Sequence, residues 1–173
     1  LYVIDSFSKY FGMTGWRVGW LVGPEDAVAV MDRLAQNLVI AANTPAQHAA
    51  LAAFAPETAA ILEQRREIFR QRRDRLLPAL RALGFGIPRA PDGAFYLYAR
   101  LPEWLEMDSM NFATRLLEET GVALTPGQDF GTHECDRHVR LAYTRDFDVL
   151  DEGACRIGEF FANSGSTKKK PQV

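Results

Sequence analysis

Cysteine is almost missing from this sequence, with two in 173 residues. Two thiols cannot staple a chain of this size, which excludes a disulfide-held scaffold and makes a reducing compartment the simpler expectation. An excess of basic charge is also missing. Twenty Lys and Arg stand against 22 Asp and Glu, for a net charge of −2, which argues against nucleic acid as the main partner. No apolar run reaches the roughly 18 residues of a membrane span. No charged segment leads into an apolar run as in a signal peptide, and there is no internal repeat. What is present is an ordinary globular composition, 47% hydrophobic and 24% charged, in a chain long enough to bury roughly 70% of its unfolded surface. The sequence opens Leu1-Tyr2-Val3-Ile4-Asp5 without a Met, and reads as if it begins inside a strand of something longer.

Hydrophobic periodicity divides the chain. Leu1 to Ile4 reads as a short buried strand, residues 6 to 15 as a Ser/Gly loop, and Trp16 to Val22 as a second strand. Gly23-Pro24-Glu25-Asp26 starts a helix, with proline and two acids in the first turn, as the free N–H groups and the helix dipole favour. Its apolar stripe is Val28, Met31, Leu34, Ala35 and Leu38. A small Ala-rich helix follows from Pro45 to about Phe54. The longest pattern opens at Pro56, with Leu62, Phe69, Leu76 and Leu83 recurring every seven residues, Ile61 and Ile68 beside them and Gly84 at its end; Pro78 must kink or split it. Beyond it lie strands at Ala94–Leu101, Val122–Leu124 and Val139–Tyr143, and helices at Asp108–Thr120 (capped by Asp108 or Ser109) and Phe147–Ala162. The polar, basic tail from Asn163 is expected to be disordered.

The first loop carries the chemistry. Lys9 follows a buried strand, at the edge where α/β sheets place ligands. Ser6 and Ser8 bring hydroxyls close to it, and Arg17 lies eight residues on, between Gly15 and Gly19. A solvated lysine is the ordinary alternative. Two hydroxyls and a guanidinium converging would make a phosphate site, since Arg pairs with phosphate through two parallel hydrogen bonds. An amine beside such a site suggests a phosphorylated carbonyl cofactor held as a Schiff base.

The run S-F-S-K followed by G-W-R-V-G at this spacing resembles the cofactor-lysine segment of fold-type I pyridoxal-phosphate-dependent aminotransferases, class I/II, the group that includes aspartate aminotransferase. Gly93-Ala94-Phe95-Tyr96-Leu97, then Gly121 to Gly127 with Phe130-Gly131, then His138 to Tyr143 resemble later segments of the same family, in order. The resemblance implies an α/β fold: the end of the large domain, with a mixed, mostly parallel sheet, over residues 1–56, and an α+β small C-terminal domain over 57–163, ahead of a disordered tail, 164–173. It implies that Lys9 holds pyridoxal 5′-phosphate and shuttles a proton, that Ser6, Ser8 and Arg17 bind the phosphate, and that Arg140 clamps the substrate α-carboxylate. The implied activity is amino transfer between an amino acid and a 2-oxo acid, in a cytoplasmic homodimer with no nucleic-acid or membrane partner. The family residues that contact the cofactor ring lie upstream of the lysine, so the 173-residue chain alone is expected to be inactive. A pyridoxal-phosphate-dependent β-lyase, or the aminotransferase-like effector domain of a transcriptional regulator, would share the same segments.

Other residues have plainer readings. Arg140 alone could be a structural arginine paired with a core carboxylate. Asn43-Thr44-Pro45 fits a helix cap as well as the lining of a partner's site. Arg65, Arg66, Arg70, Arg72, Arg73, Arg75 and Arg81 alternate with Glu63, Glu67 and Asp74 at helical pairing distances, as on a solvated helix face. His133, Cys135, Asp136 and His138 match no standard zinc spacing, and no metal is expected. His48 reads as packed or half-exposed, and Cys155 as a core residue.

Overall fold

The computed structural model describes residues 1–165. Their elements are β1 (Val3–Ser6), β2 (Gly19–Val22), α1 (Glu25–Leu38), α2 (Thr44–Ala52), α3 (Pro56–Ala82), β3 (Tyr96–Arg100), α4 (Ser109–Thr120), β4 (Thr125–Pro126), β5 (His138–Ala142) and α5 (Phe147–Gly165). The chain forms two compact units, Leu1–Glu67 and Ile68–Val173, with the boundary inside α3.

In the first unit, β1 and β2 pair antiparallel in the register Ser6↔Gly19. A Cβ at Gly19 would stand 2.6 Å from the Asp5 carbonyl oxygen and 3.3 Å from Ser6, so only glycine lets the strands approach there. Phe7 is buried, in contact with Ala50 and Ala53 of this unit, and its ring meets Phe11, Trp20 and Phe54 in tilted or edge-on contacts. The second strand is shorter than its sequence pattern, because Thr14–Trp16 forms a 3-10 turn. Helix α1 starts after Pro24 with Glu25 and Asp26 in its first turn, yet it buries no residue in this unit. Its stripe is in solvent at Val28, Leu34 and Leu38. Asn43 caps α2, its side chain accepting the Ala46 N–H at 3.0 Å.

The second unit has a large core. Its sheet runs β3–β5–β4, all antiparallel. Alternation along β3 and β5 turns Leu97, Ala99, Val139 and Leu141 inward, against Leu76, Leu77 and Leu80 of α3, Phe112 and Leu116 of α4, and Ile157, Phe160 and Phe161 of α5. The same period of two sends Tyr96, Tyr98, His138 and Arg140 to the opposite face. Helix α3 is continuous over 27 residues with Pro78 inside it, so the proline does not split it. Ile61 and Ile68, beside its buried stripe, are exposed.

Asp108 rather than Ser109 caps α4, accepting the Asn111 N–H at 2.8 Å; Ser109 is fully buried and donates to the Cys135 carbonyl. Residues 122–124 form no strand, and pairing begins at Thr125. Val122 lacks a ladder partner and its N–H goes to the Thr120 hydroxyl instead, so β propensity there has nothing to act on. Helix α5 runs through residue 165, past the expected end at Ala162; the rest of the expected tail, residues 166–173, lies outside the described residues. Cys155 is exposed, not core. The inward side of α5 carries Ile157, Phe160 and Phe161, and at about 100° per residue position 155 falls on the opposite side of the helix. His48 is exposed as well. Among the described residues no helix is long and apolar enough to cross a membrane.

The arginines of α3 are tied to carboxylates and carbonyls. Arg66 pairs with Glu63 and Arg70 with Asp74 along the helix. Arg72 pairs with Asp146, Arg73 with Asp74 and Arg75 with Asp151. Arg81 donates to the Ile87 carbonyl at 2.7 Å and 2.9 Å.

Candidate functional site

The loop between β1 and β2 is folded by hydrogen bonds from its own backbone. The Phe7 N–H donates to the Val18 carbonyl at 3.1 Å, the Met13 N–H to the Phe7 carbonyl at 3.0 Å, and the Gly12 N–H to the Lys9 carbonyl at 3.0 Å. Burial of Phe7 sends its neighbours the other way, and both Ser6 and Ser8 are half-buried. The Ser8 N–H donates to the Ser6 hydroxyl oxygen at 3.3 Å. The Thr14 hydroxyl donates to the Ser8 carbonyl at 2.6 Å, and Arg17 Nη1 donates to the Thr14 carbonyl at 2.9 Å. Thus Ser6, Ser8 and Arg17 are linked through Thr14, and Lys9 lies in the same closed turn with its side chain exposed.

Arg17 adopts φ 53, ψ 51, the left-handed region, directly after the 3-10 turn. For a residue with a Cβ that conformation costs of order 1–2 kcal/mol, and such outliers gather where a side chain must be aimed. Among the described residues Arg17 has no carboxylate partner, and Nη1 is its only hydrogen-bonded nitrogen.

The turn is also braced from α3. The Tyr10 hydroxyl donates to Glu63 at 2.6 Å, and Glu63 in turn pairs with Arg66 at 2.7 Å. The Arg66 hydrogen bond and then the Tyr10 bond hold the Glu63 carboxyl below its ordinary range, while the bond to Glu63 raises the Tyr10 phenol. Gly12, at φ 68, leaves room for the Arg65 guanidinium: a Cβ there would stand 2.8 Å from Nη1. No spacing or motif marks Thr14, Tyr10, Glu63 or Arg65 as supports of this loop. The partners of Tyr10 and Gly12 are more than fifty residues away, and no local spacing encodes such a contact.

In the second unit Arg140 projects from the central strand β5, half-buried, with Tyr98 and Thr125 as its cross-strand neighbours. Its Nη2 lies 3.4 Å from the Thr125 hydroxyl oxygen. Its guanidinium carbon sits over the Phe130 ring at 4.5 Å and over the Tyr96 ring at 5.3 Å. Among the described residues no carboxylate pairs with it. Close by, His138 stacks on Tyr98 at 5.0 Å, and Tyr98 meets Phe130 edge to face at 6.1 Å.

The donor set of the first loop suits a phosphate ester. Among the described residues the Ser8 hydroxyl has no hydrogen-bond partner, the Ser6 hydroxyl acts only as an acceptor, and Arg17 keeps Nε and Nη2 uncommitted. Hydroxyls and a guanidinium are the groups that bind a phosphate dianion through charge-assisted hydrogen bonds.

A lysine turn beside such donors has the groups that a phosphorylated carbonyl cofactor requires, and relatives give the class of protein. The family model for aminotransferase class I and II matches residues 1–157, and the chain belongs to that family, with its aspartate-aminotransferase-like fold. It is 38% identical over 158 residues to the valine–pyruvate aminotransferase of Mycobacterium tuberculosis, covering 91% of this chain and 40% of that protein. A crystal structure of an aminotransferase from Mycobacterium tuberculosis superposes with a TM-score of 0.87 at 39% identity, over 94% of this chain and 42% of the other. The aspartate aminotransferase of Thermotoga maritima gives a TM-score of 0.81 at 32% identity, over 93% and 40%. The chain thus spans about two fifths of the length of the relatives it matches.

Proposed function

We propose that this chain is the lysine-bearing part of a pyridoxal-phosphate-dependent aminotransferase acting on an amino acid and a 2-oxo acid. The observation that carries the reading is the turn at 6–17, where hydroxyl and guanidinium donors suited to a phosphate share one closed turn with the single lysine outside the C-terminal run. When bound, pyridoxal phosphate supplies an electron sink for the carbon that loses its proton. Ser6, Ser8 and Arg17 would hold its phosphate through hydroxyl and guanidinium donors. Lys9, in the same turn, would hold the cofactor through its amine and would serve as the base that moves the proton at the substrate Cα. Arg140 binds the substrate carboxylate through paired N–H donors.

Assignment to the cytoplasm is part of the same reading, supported by two free thiols. So is assignment to a homodimer, supported by the apolar stripe that α1 leaves in solvent.

Borohydride reduction with pyridoxal phosphate tests the site. The four lysines are Lys9 and the run Lys168 to Lys170, so peptide mass spectrometry separates them cleanly. Label concentrated on Lys9, and lost in Arg17→Ala, is the expected result; label spread evenly over all four would overturn the reading. Transaminase turnover by the 173-residue chain alone is expected at background.

A further inference from the structure

We propose that Phe130 and Tyr96 are positioning residues that hold the Arg140 guanidinium ready for a carboxylate, with Thr125 fixing one of its edges. The inference rests on the reading of Arg140 as the substrate clamp and adds how the clamp is kept open. A half-buried arginine needs compensation for its charge and for the rotamer freedom it loses. The usual partner, an aspartate or glutamate, would take up the paired N–H donors and close the fork. Arg140 is held by other means. Its guanidinium carbon lies over the faces of Phe130 and Tyr96 at 4.5 Å and 5.3 Å. A ring face attracts a cation through its quadrupole but carries no lone pair comparable to a carboxylate oxygen. The charge is therefore stabilised while most of the N–H donors stay available.

Thr125 on the neighbouring strand takes Nη2 at a long 3.4 Å, enough to orient the fork without saturating it. The rings are themselves fixed. Phe130 closes the Gly127–Asp129 3-10 turn with its N–H on the Gly127 carbonyl at 2.9 Å, and packs edge to face on Tyr98. Phe130 keeps 46% and Tyr96 37% of its surface exposed. Neither ring is a core residue, and both lie against the Arg140 guanidinium.

The test uses the intact chain labelled with 15N-arginine, following the Arg140 Nε–Hε cross-peak during titration with pyruvate. The wild-type signal is expected to move and saturate. Phe130→Leu and Tyr96→Leu keep apolar bulk but remove the ring face, and each is expected to weaken pyruvate binding about two- to fivefold. Phe130→Trp is expected to restore it. Both positions are partly exposed, so the backbone amide spectrum should stay that of the folded chain. If pyruvate moves Arg140 with unchanged affinity in both leucine variants, the positioning inference is overturned and the clamp reading stands. If pyruvate leaves the wild-type Arg140 signal unmoved, the clamp reading falls and this inference falls with it.

Discussion

The two units use hydrophobic residues in opposite ways. The second unit, from Ile68 onward, turns its leucines and phenylalanines into one continuous core built from three helices and a sheet. The first unit buries only a few side chains around Phe7 and leaves Ile4, Leu34, Leu38, Val39 and Ile40 in solvent. Yet the first unit carries the loop in which Ser6, Ser8, Thr14 and Arg17 are linked by hydrogen bonds. Its order comes from backbone closure at residues 7–18 and from the aromatic contacts of Phe7, rather than from a large buried volume. The comparison teaches that a site can be locally well defined on a scaffold whose own core is thin. The apolar face of α1, at Val28, Leu34 and Leu38, stays outside that small core.

The largest expected effect pits one core against the other. Phe112 is fully buried in the second unit, and Phe112→Ala should cost about 3–5 kcal/mol, lowering the main cooperative transition seen by circular dichroism. Phe7→Ala should leave that transition nearly unchanged. Its effect should appear instead as fast amide exchange at Met13 and loss of selective labelling at Lys9. A Phe7→Ala chain that keeps Lys9 selectivity would mean that backbone closure alone holds the loop.

A smaller effect concerns the Tyr10–Glu63 brace. Glu63 is depressed in the folded chain, so its contribution is present above the ordinary glutamate range, near pH 4, and is lost as pH falls through the lowered value. Tyr10 is raised, so its contribution is present below the ordinary phenol value, about 10, and is lost as pH rises through the raised value. Exchange at Gly12, corrected for intrinsic pH dependence, should therefore be slowest between these limits. Tyr10→Phe should flatten the profile; an unchanged profile would remove the brace from the account.

The smallest effect compares two caps. Asp108→Ala and Asn43→Ala each remove a side-chain acceptor from a helix N-terminus, at about 1 kcal/mol. In the second unit this should lower the midpoint by roughly 4–8 °C. In the first, the change should appear only as local fraying of α2 in hydrogen exchange. Equal midpoint shifts would show that the two units share one transition.

Much of the fold was legible. Periodicity and first-turn chemistry located α1, α3 and α5, because a helix is written in contacts three and four residues apart. The strand expected at 122–124 was not found, since a strand exists only with a partner and the ladder starts one residue later, at Thr125. Cys155, expected in the core as an apolar residue on an apolar-rich helix, is exposed because it lies about half a turn away from Ile157, Phe160 and Phe161. At the candidate site, Ser6, Ser8, Lys9 and Arg17 could be proposed from a short spacing. The groups that hold them, Thr14, Tyr10 and Glu63, could not, because their roles depend on where the backbone turns. Phe130 and Thr125 stood inside segments that the family resemblance singled out, but nothing in those segments stated that they would meet Arg140.

The contact between Tyr10 and Glu63 joins residues 53 positions apart. Closing a loop of that length must precede any gain from the contact, at an entropic cost that grows with the logarithm of the loop. The brace on the lysine turn is therefore a late event in folding. During synthesis the turn gains it only after α3 has begun to emerge, so until then a nascent chain presents Lys9 on a turn closed by its own backbone alone.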